Sequence, residues 1–304
     1  MNIKLGIAPI GWTNDDLPEL GGDISFTQCI NEMAEAGFEG CEVGNKFPKD
    51  PKELNKYLKP RKMVVCNQWF SYEMTNKPLA EIIPDFNRSM DFLSETGAKV
   101  IGGGETANSI QAKNIPILHH KVEFTEKEWV KVIHDLNELG KLAYDQGMKL
   151  AFHHHMGTGV QSLEETMRLM DATDPKYVYL NYDCGHFRFA GEDPVAALDL
   201  LVSRVAHVHL KDVRLAILQR VQEDKLSFLE AVKKGVFTVP GDREGHIDFD
   251  GVFKILNKQK YDGWLVVEAE QDPSLANPLK YAKIAKEFLD CKLNTIPEER
   301  LSKC

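Results

Sequence analysis

The sequence predicts an α/β fold closed as a (β/α)8 TIM barrel, on three observations. Eight short β-rich runs alternate with helix-period segments along the whole of the 304 residues. Eight strand–helix units close a barrel, whereas open doubly wound sheets usually hold about five to seven strands. Histidines and carboxylates crowd the ends of the last four runs, where barrels of this kind build their active sites.

The runs are IKLGIA (3–8), FEGCEV (38–43), KMVVCN (62–67), AKVIGG (98–103), MKLAFH (148–153), YVYLNYD (177–183), VAHVHL (205–210) and WLVVEA (264–269). Amphipathic stretches such as FTQCINEMAEAG and EKEWVKVIHDLNELGKLAYDQG separate them. Gly37, Gly97 and Gly147 stand just before the next run, the usual end signal of a helix. Pro194, after Glu192 and Asp193, marks a helix start. Two insertions interrupt the alternation: 104–124 after strand four, and roughly 211–248 after strand seven, the latter with its own helical pattern (LAILQRVQEDKLSFLEAVKKG). No linker, low-complexity tract or charge block divides the chain. One domain over 1–304 is therefore expected, with a peripheral tail from about 291. The Gly102-Gly103-Gly104 run lacks G-x-G-x-x-G and a following Lys-Ser/Thr, so it reads as close backbone packing rather than a phosphate cradle.

Hydrophobic residues make up 43% of the chain and charged residues 27%, an ordinary mix for a soluble globular protein. Lys and Arg number 37 against 46 Asp and Glu, a net charge of −9 that speaks against nucleic-acid or anionic-membrane partners. No apolar run approaches the ~20 residues that span a bilayer. The opening MNIKLGIAPIGW has no long apolar core or cleavage site of a signal peptide. The six Cys are scattered without a C-x-x-C pair, which suggests reduced thiols and a cytoplasmic protein.

Strand five runs into His153-His154-His155, strand six into Asn181-Tyr182-Asp183-Cys184-Gly185-His186, strand seven through His207-Val208-His209-Leu210-Lys211, and strand eight into Glu268-Ala269-Glu270. Alternate residues of a strand share a face. With Ala206, Val208 and Leu210 toward the helices, His207, His209 and Lys211 face the barrel axis; His153 pairs with His155, Asn181 with Asp183, and Glu268 with Glu270. Such a cluster is costly to bury unless a cation compensates it. Mixed N/O ligation suits Mn²⁺, Co²⁺, Fe²⁺ or Zn²⁺. His207, deeper than His209, reads as a hydrogen-bonded core residue, and His154 as facing away from the axis. Cys184 reads as packing, and His134, within a helical pattern, as surface or packing. Trp12 and Trp69, after strands one and three, are candidate walls of a substrate pocket, with core packing the equal alternative for both.

These residues resemble a known superfamily. Gly-x-Ala-Pro-Ile-Gly-Trp (6–12), the tripled His followed by Met-Gly-Thr-Gly (153–159), Asp-Cys-Gly-His (183–186), His-Val-His-Leu-Lys-Asp (207–212) and Val-Glu (267–268) are similar to the sugar-phosphate isomerase/epimerase-like superfamily of xylose-isomerase-like barrels. PIGWTNDD and HHHMGTGVQS bring the chain close to the myo-inosose-2 dehydratases (2-keto-myo-inositol dehydratases) of bacterial inositol catabolism. That resemblance implies dehydration of scyllo-inosose, a cyclitol ketone, to 3D-(3,5/4)-trihydroxycyclohexane-1,2-dione. It implies Mn²⁺ or Co²⁺ as cofactor, an association with glutathione, and a possible homo-oligomer.

The superfamily's usual ligands are Glu, Asp, His and Glu from strands five to eight. Asp183, His209 and Glu268 match; the strand-five Glu is replaced by His153. Either His153 ligates in its place, the choice favoured here, or a three-residue site is completed by water and substrate. His186, Lys211 and Glu42 match positions that contact substrate and are the catalytic candidates. His155, Trp12, Trp69 and Arg243 are the substrate-binding candidates. The main competing activity is a metal-dependent isomerase or epimerase on the same barrel. A repair endonuclease would need more ligands and a basic face. A non-enzymatic sugar-binding barrel would hold no metal.

Overall fold

The computed structural model describes residues 2–294. Strands β1 (Asn2–Ile7), β2 (Gly40–Val43), β3 (Val64–Ser71), β4 (Val100–Gly104), β5 (Lys149–His153), β6 (Val178–Asp183) and β7 (Val205–Leu210) run parallel in that order, and β10 (Asp262–Val267) closes the barrel onto β1. A two-stranded antiparallel ribbon, β8 (Asp212–Val213) with β9 (Phe237–Thr238), stands apart from it.

Helices α1 (Phe26–Glu35), α2 (Pro51–Leu58), α3 (Leu79–Thr96), α4 (Glu126–Asp145) and α5 (Leu163–Ala172) follow the first five strands. Strand β6 leads into α6 (Cys184–Phe189) and α7 (Pro194–Leu201). Helices α8 (Leu215–Glu223), α9 (Phe228–Lys233), α10 (Phe249–Lys258) and α11 (Pro278–Asn294) complete the order. The start signals act as expected. Asp193 caps α7 with Pro194 as its first residue, and Thr125–Glu128 and Ser162–Glu165 form reciprocal capping boxes. Gly37, Gly97 and Gly147 end their helices at φ of 91°, 99° and 71°, a conformation that costs a side-chain-bearing residue energy.

The main core lies between strands and helices; Val65, Leu150, Leu180, Val208 and Leu265 belong to it and are fully buried. Two smaller apolar groups, Ala8–Cys66–Val266 and Val100–Ala151–Ala206, share strand faces with the site residues and floor the barrel beneath them. Ala206 corrects the simple alternation expected of β7. Leu180 pairs with Val205 but Asn181 pairs with His207, so Ala206 is an extra, bulged residue and leaves the helix-facing set.

The first insertion has neither helix nor strand between Glu105 and Thr125. The second folds as β8–α8–α9–β9: its single helical pattern breaks at Lys225 (φ 53°) and restarts at the Ser227–Glu230 capping box. Helix α11 continues to Asn294, with Lys292 buried and paired to Asp250, so the chain is integral beyond the expected boundary at 291. The remainder of that tail lies outside the described residues. Cys29, Cys41, Cys66 and Cys184 are free and buried. Among the described residues no helix is long and apolar enough to cross a membrane.

Candidate metal centre and active site

The ends of β5, β6, β7 and β10 meet at the mouth of the barrel, where a cavity of about 510 Å³ opens. His153 Nε2, Asp183 Oδ2 and His209 Nδ1 converge there. His153 Nε2 lies 3.2 Å from His209 Nδ1, and each lies 3.5 Å from Asp183 Oδ2. Glu268 Oε2 stands 4.0 Å from His209 Nδ1, at the edge of the group. All four side chains are buried.

The surroundings aim these atoms. Asp183 ends β6 and caps α6: its Oδ1 accepts the His186 N–H at 2.9 Å, which leaves Oδ2 turned into the cluster. His154 Nε2 accepts the Asp183 backbone N–H at 3.1 Å, and its ring stacks on Phe187 with centroids 3.7 Å apart. His209 is held from behind. Glu42 Oε1 accepts from His209 Nε2, His207 Nε2 and Asn67 Nδ2, each at 2.9 Å. Asn67 Oδ1 in turn accepts the Gly102 N–H at 2.7 Å, so the chain of bonds reaches β4. A proton on His209 Nε2 leaves the Nδ1 lone pair for the cluster.

Lys211 lies beneath, fully buried, with Nζ 2.6 Å from Glu268 Oε2, 2.7 Å from Glu270 Oε2 and 3.5 Å from Asp183 Oδ2. It also contacts His186 Nε2 at 3.0 Å. Burial opposes the Lys211 charge, but Asp183, Glu268 and Glu270 outweigh burial and raise its pKa. Burial lowers His153 to about 4 and His155 to about 3, and takes His186 well below its ordinary value. His209 departs the other way: burial lowers it, yet Glu42, Asp183 and Glu268 carry it up to about 10. Burial would raise Glu42, and the His209 and His207 imidazoles hold it well below the carboxylate range instead. Burial raises Asp183 too, but Lys211 and His186 pull it well below. Burial and Glu270 push Glu268 up to about 8.

The donor set fits a divalent first-row ion. Two imidazole nitrogens and the Asp183 carboxylate converge on one place with Glu268 at its edge, and Asp183 Oδ2 and Glu268 Oε2 are buried without a well-aligned hydrogen bond. A cation supplies the charge that these oxygens otherwise take from Lys211 and His209.

The Xylose isomerase-like TIM barrel family matches residues 30–291. The chain is 55% identical to the inosose dehydratase of Geobacillus thermodenitrificans over 94% of its own length and 96% of the relative's. With the inosose dehydratase of Clostridium tetani it shares 53% identity, over 95% and 97% of the two chains.

The chain belongs to the inosose dehydratase family.

Identity at this level over nearly the whole length supports inosose dehydration rather than the isomerase or epimerase alternative, and makes the protein a hydro-lyase. Solved structures add the fold. The zinc-bound IOLI protein superposes with a TM-score of 0.69 at 17% identity, over 94% of this chain and 97% of that one. The probable 3-DHS dehydratase AsbF of Bacillus anthracis gives 0.67 at 18%, over 94% and 98%.

Of the residues expected at an inosose dehydratase site, the structure places His153, His155, His186, His209, Glu268 and Trp69 on the wall of one cavity, with Asp183 and Lys211 fully buried behind them. Glu42 reaches its wall too, with Oε1 engaged by three donors. Trp12 and Arg243 do not line the cavity. Trp12 sits in the short turn after β1, 1% exposed, and donates Nε1–H to Glu32 Oε2 at 2.6 Å, which turns it into the core. Arg243 is exposed beyond β9; the buried arginine of that insertion is Arg214, paired with Asp242 and Glu244. The rim also holds Asp15, Asp16, Asn45, Lys49 and Gln111, which strand-end reasoning missed. Only the Asp-Asp of PIGWTNDD pointed there.

Proposed function

We propose that this barrel dehydrates scyllo-inosose in the cytoplasm as a step of inositol catabolism. His153, Asp183, His209 and Glu268 hold one divalent ion, Mn²⁺ or Co²⁺ before Zn²⁺ or Fe²⁺. The observation that carries the reading is the convergence of these side chains at the cavity wall, next to a hydrogen-bonded Lys211–His186 pair of which His186 lines the cavity and Lys211 is buried behind it. A bound ion would supply Lewis acidity to the substrate.

The remaining work falls to the chain. Removing the proton next to the ketone leaves an enolate, and the β-hydroxyl must depart with a proton. His186 takes the α-proton on Nε2 as Lys211 Nζ turns from it toward the departing hydroxyl. Lys211, clamped between Glu268 and Glu270, steadies the developing negative charge and protonates the departing oxygen. The C–H pair becomes the C=C of an enol as the C–O bond breaks, water leaves, and the enol tautomerises to the dione. Both groups lie within one 3.0 Å hydrogen bond, so the proton gained by one and lost by the other can re-equilibrate between turnovers. His155, its ring centroid 3.9 Å from that of His186, limits the directions from which substrate reaches it.

The reaction has no net redox change, so glutathione enters only as an added component to test. Purified protein is to be given scyllo-inosose with Mn²⁺ or Co²⁺, with and without glutathione, and the product read by ultraviolet absorption and mass. Loss of one water with a new conjugated chromophore is expected. A product isomeric with the substrate would move the assignment to an epimerase.

A further inference from the structure

A six-membered ring whose hydroxyls are all equatorial has two chemistries. Oxygens surround its edge, and both faces are axial C–H bonds. Carboxylates and imidazoles satisfy the edge but offer nothing to a face. Among the described residues lining the cavity, Trp69 is the only Trp, Tyr or Phe, and it is 40% exposed.

The indole is fixed in place. Nε1–H donates to Ser71 Oγ at 3.0 Å. The ring meets His153 and His155 in T-shaped contacts, with centroids 5.5 and 5.9 Å away. On the neighbouring strand, a Cβ at Gly104 would stand 3.2 Å from Trp69 Cη2, tighter than a relaxed contact. The last glycine of the Gly102-Gly103-Gly104 run therefore leaves the space in which the indole lies. Because His153 belongs to the ion-holding set, a ring whose oxygens reach that set lies alongside Trp69.

We propose that Trp69 is the platform for an axial C–H face of the cyclitol, and so selects rings with no axial hydroxyl on that face. The inference rests on a keto-cyclitol being the substrate. Stacking removes apolar ring surface from water and adds dispersion contact. An axial hydroxyl holds the ring off the indole and is left without a partner.

Two unreactive isomers test this. scyllo-Inositol has only equatorial hydroxyls, and chiro-inositol carries one axial hydroxyl on each face. Calorimetric titration of the Mn²⁺-loaded wild type, Trp69→Phe and Trp69→Ala is to be paired with KM and kcat for scyllo-inosose. The wild type is expected to favour scyllo-inositol by about tenfold. Trp69→Phe keeps most of that preference. Trp69→Ala brings the ratio near one and raises KM by about tenfold, with kcat and metal content changed far less. Unchanged ratio and KM in Trp69→Ala, with the wild type still dehydrating scyllo-inosose, would overturn the role of Trp69 and leave the substrate standing. A wild type inert toward scyllo-inosose would overturn both.

Discussion

Glu42 Oε1 accepts a hydrogen bond from His209 Nε2 at 2.9 Å across 167 residues of sequence. The same oxygen accepts from His207 and Asn67, so the carboxylate orients the imidazole and raises the basicity of its other nitrogen.

Glu42→Gln replaces that carboxylate by a neutral, weaker acceptor. Metal affinity, measured by competition with a chelator, is expected to fall about 10- to 100-fold while the far-ultraviolet circular dichroism stays unchanged. Affinity within twofold of wild type would mean that His209 needs no support from Glu42.

His154 acts one step further back. Its Nε2 accepts the Asp183 N–H, and the ring is completely buried against Phe187. His154→Phe keeps the stacking and orphans that buried N–H. A loss of about 1–3 kcal/mol in urea unfolding is expected, together with weaker metal binding because Asp183 is no longer fixed. A variant as stable as wild type would show that the N–H has found another acceptor.

Asp212 sets a pH dependence outside the His153–Asp183–His209 cluster. Its Oδ1 accepts the backbone N–H groups of Val213, His246 and Ile247 and fastens the β8–β9 insertion. Burial nevertheless raises its pKa from 3.8 to about 6. The folded state then binds more protons than the unfolded state between those values. This group's contribution is therefore fully present below the unfolded pKa and is lost as pH rises through about 6. The stability difference between wild type and Asp212→Asn is expected to shift toward wild type on acidification from pH 7 to 4. A difference that is flat, or that shifts the other way, contradicts the raised value.

Much of this site was legible because a strand repeats every two residues and a barrel works at its strand ends. Residues 205–210 fall in β7 as read, and His153, Asp183 and His209 follow from parity. What the sequence hid was long-range. Nothing local marks Glu42 as the partner of His209, or Ala206 as a bulge created by the register of the neighbouring β6. Trp12 and Trp69 both follow strands, yet a helical carboxylate, Glu32, draws one into the core while Ser71 and Gly104 leave the other in the cavity. Arg243 lies exposed and off the cavity wall, a placement that residue type alone does not reveal. The glycine run was read correctly as close packing: a Cβ at Gly103 would lie 1.8 Å from Phe70 O, and one at Gly102 2.9 Å from Asn67 Nδ2.

The central claim is that one ion, held by residues of four adjacent strands, enables dehydration. Its most direct test is anomalous diffraction from crystals of the Co²⁺-loaded protein, combined with turnover of scyllo-inosose by the same preparation before and after chelation. A single cobalt peak at bonding distance from His153, Asp183, His209 and Glu268, with activity lost on chelation and restored by Co²⁺, is the predicted result. Cobalt bound elsewhere, or full turnover in metal-free protein, would contradict it.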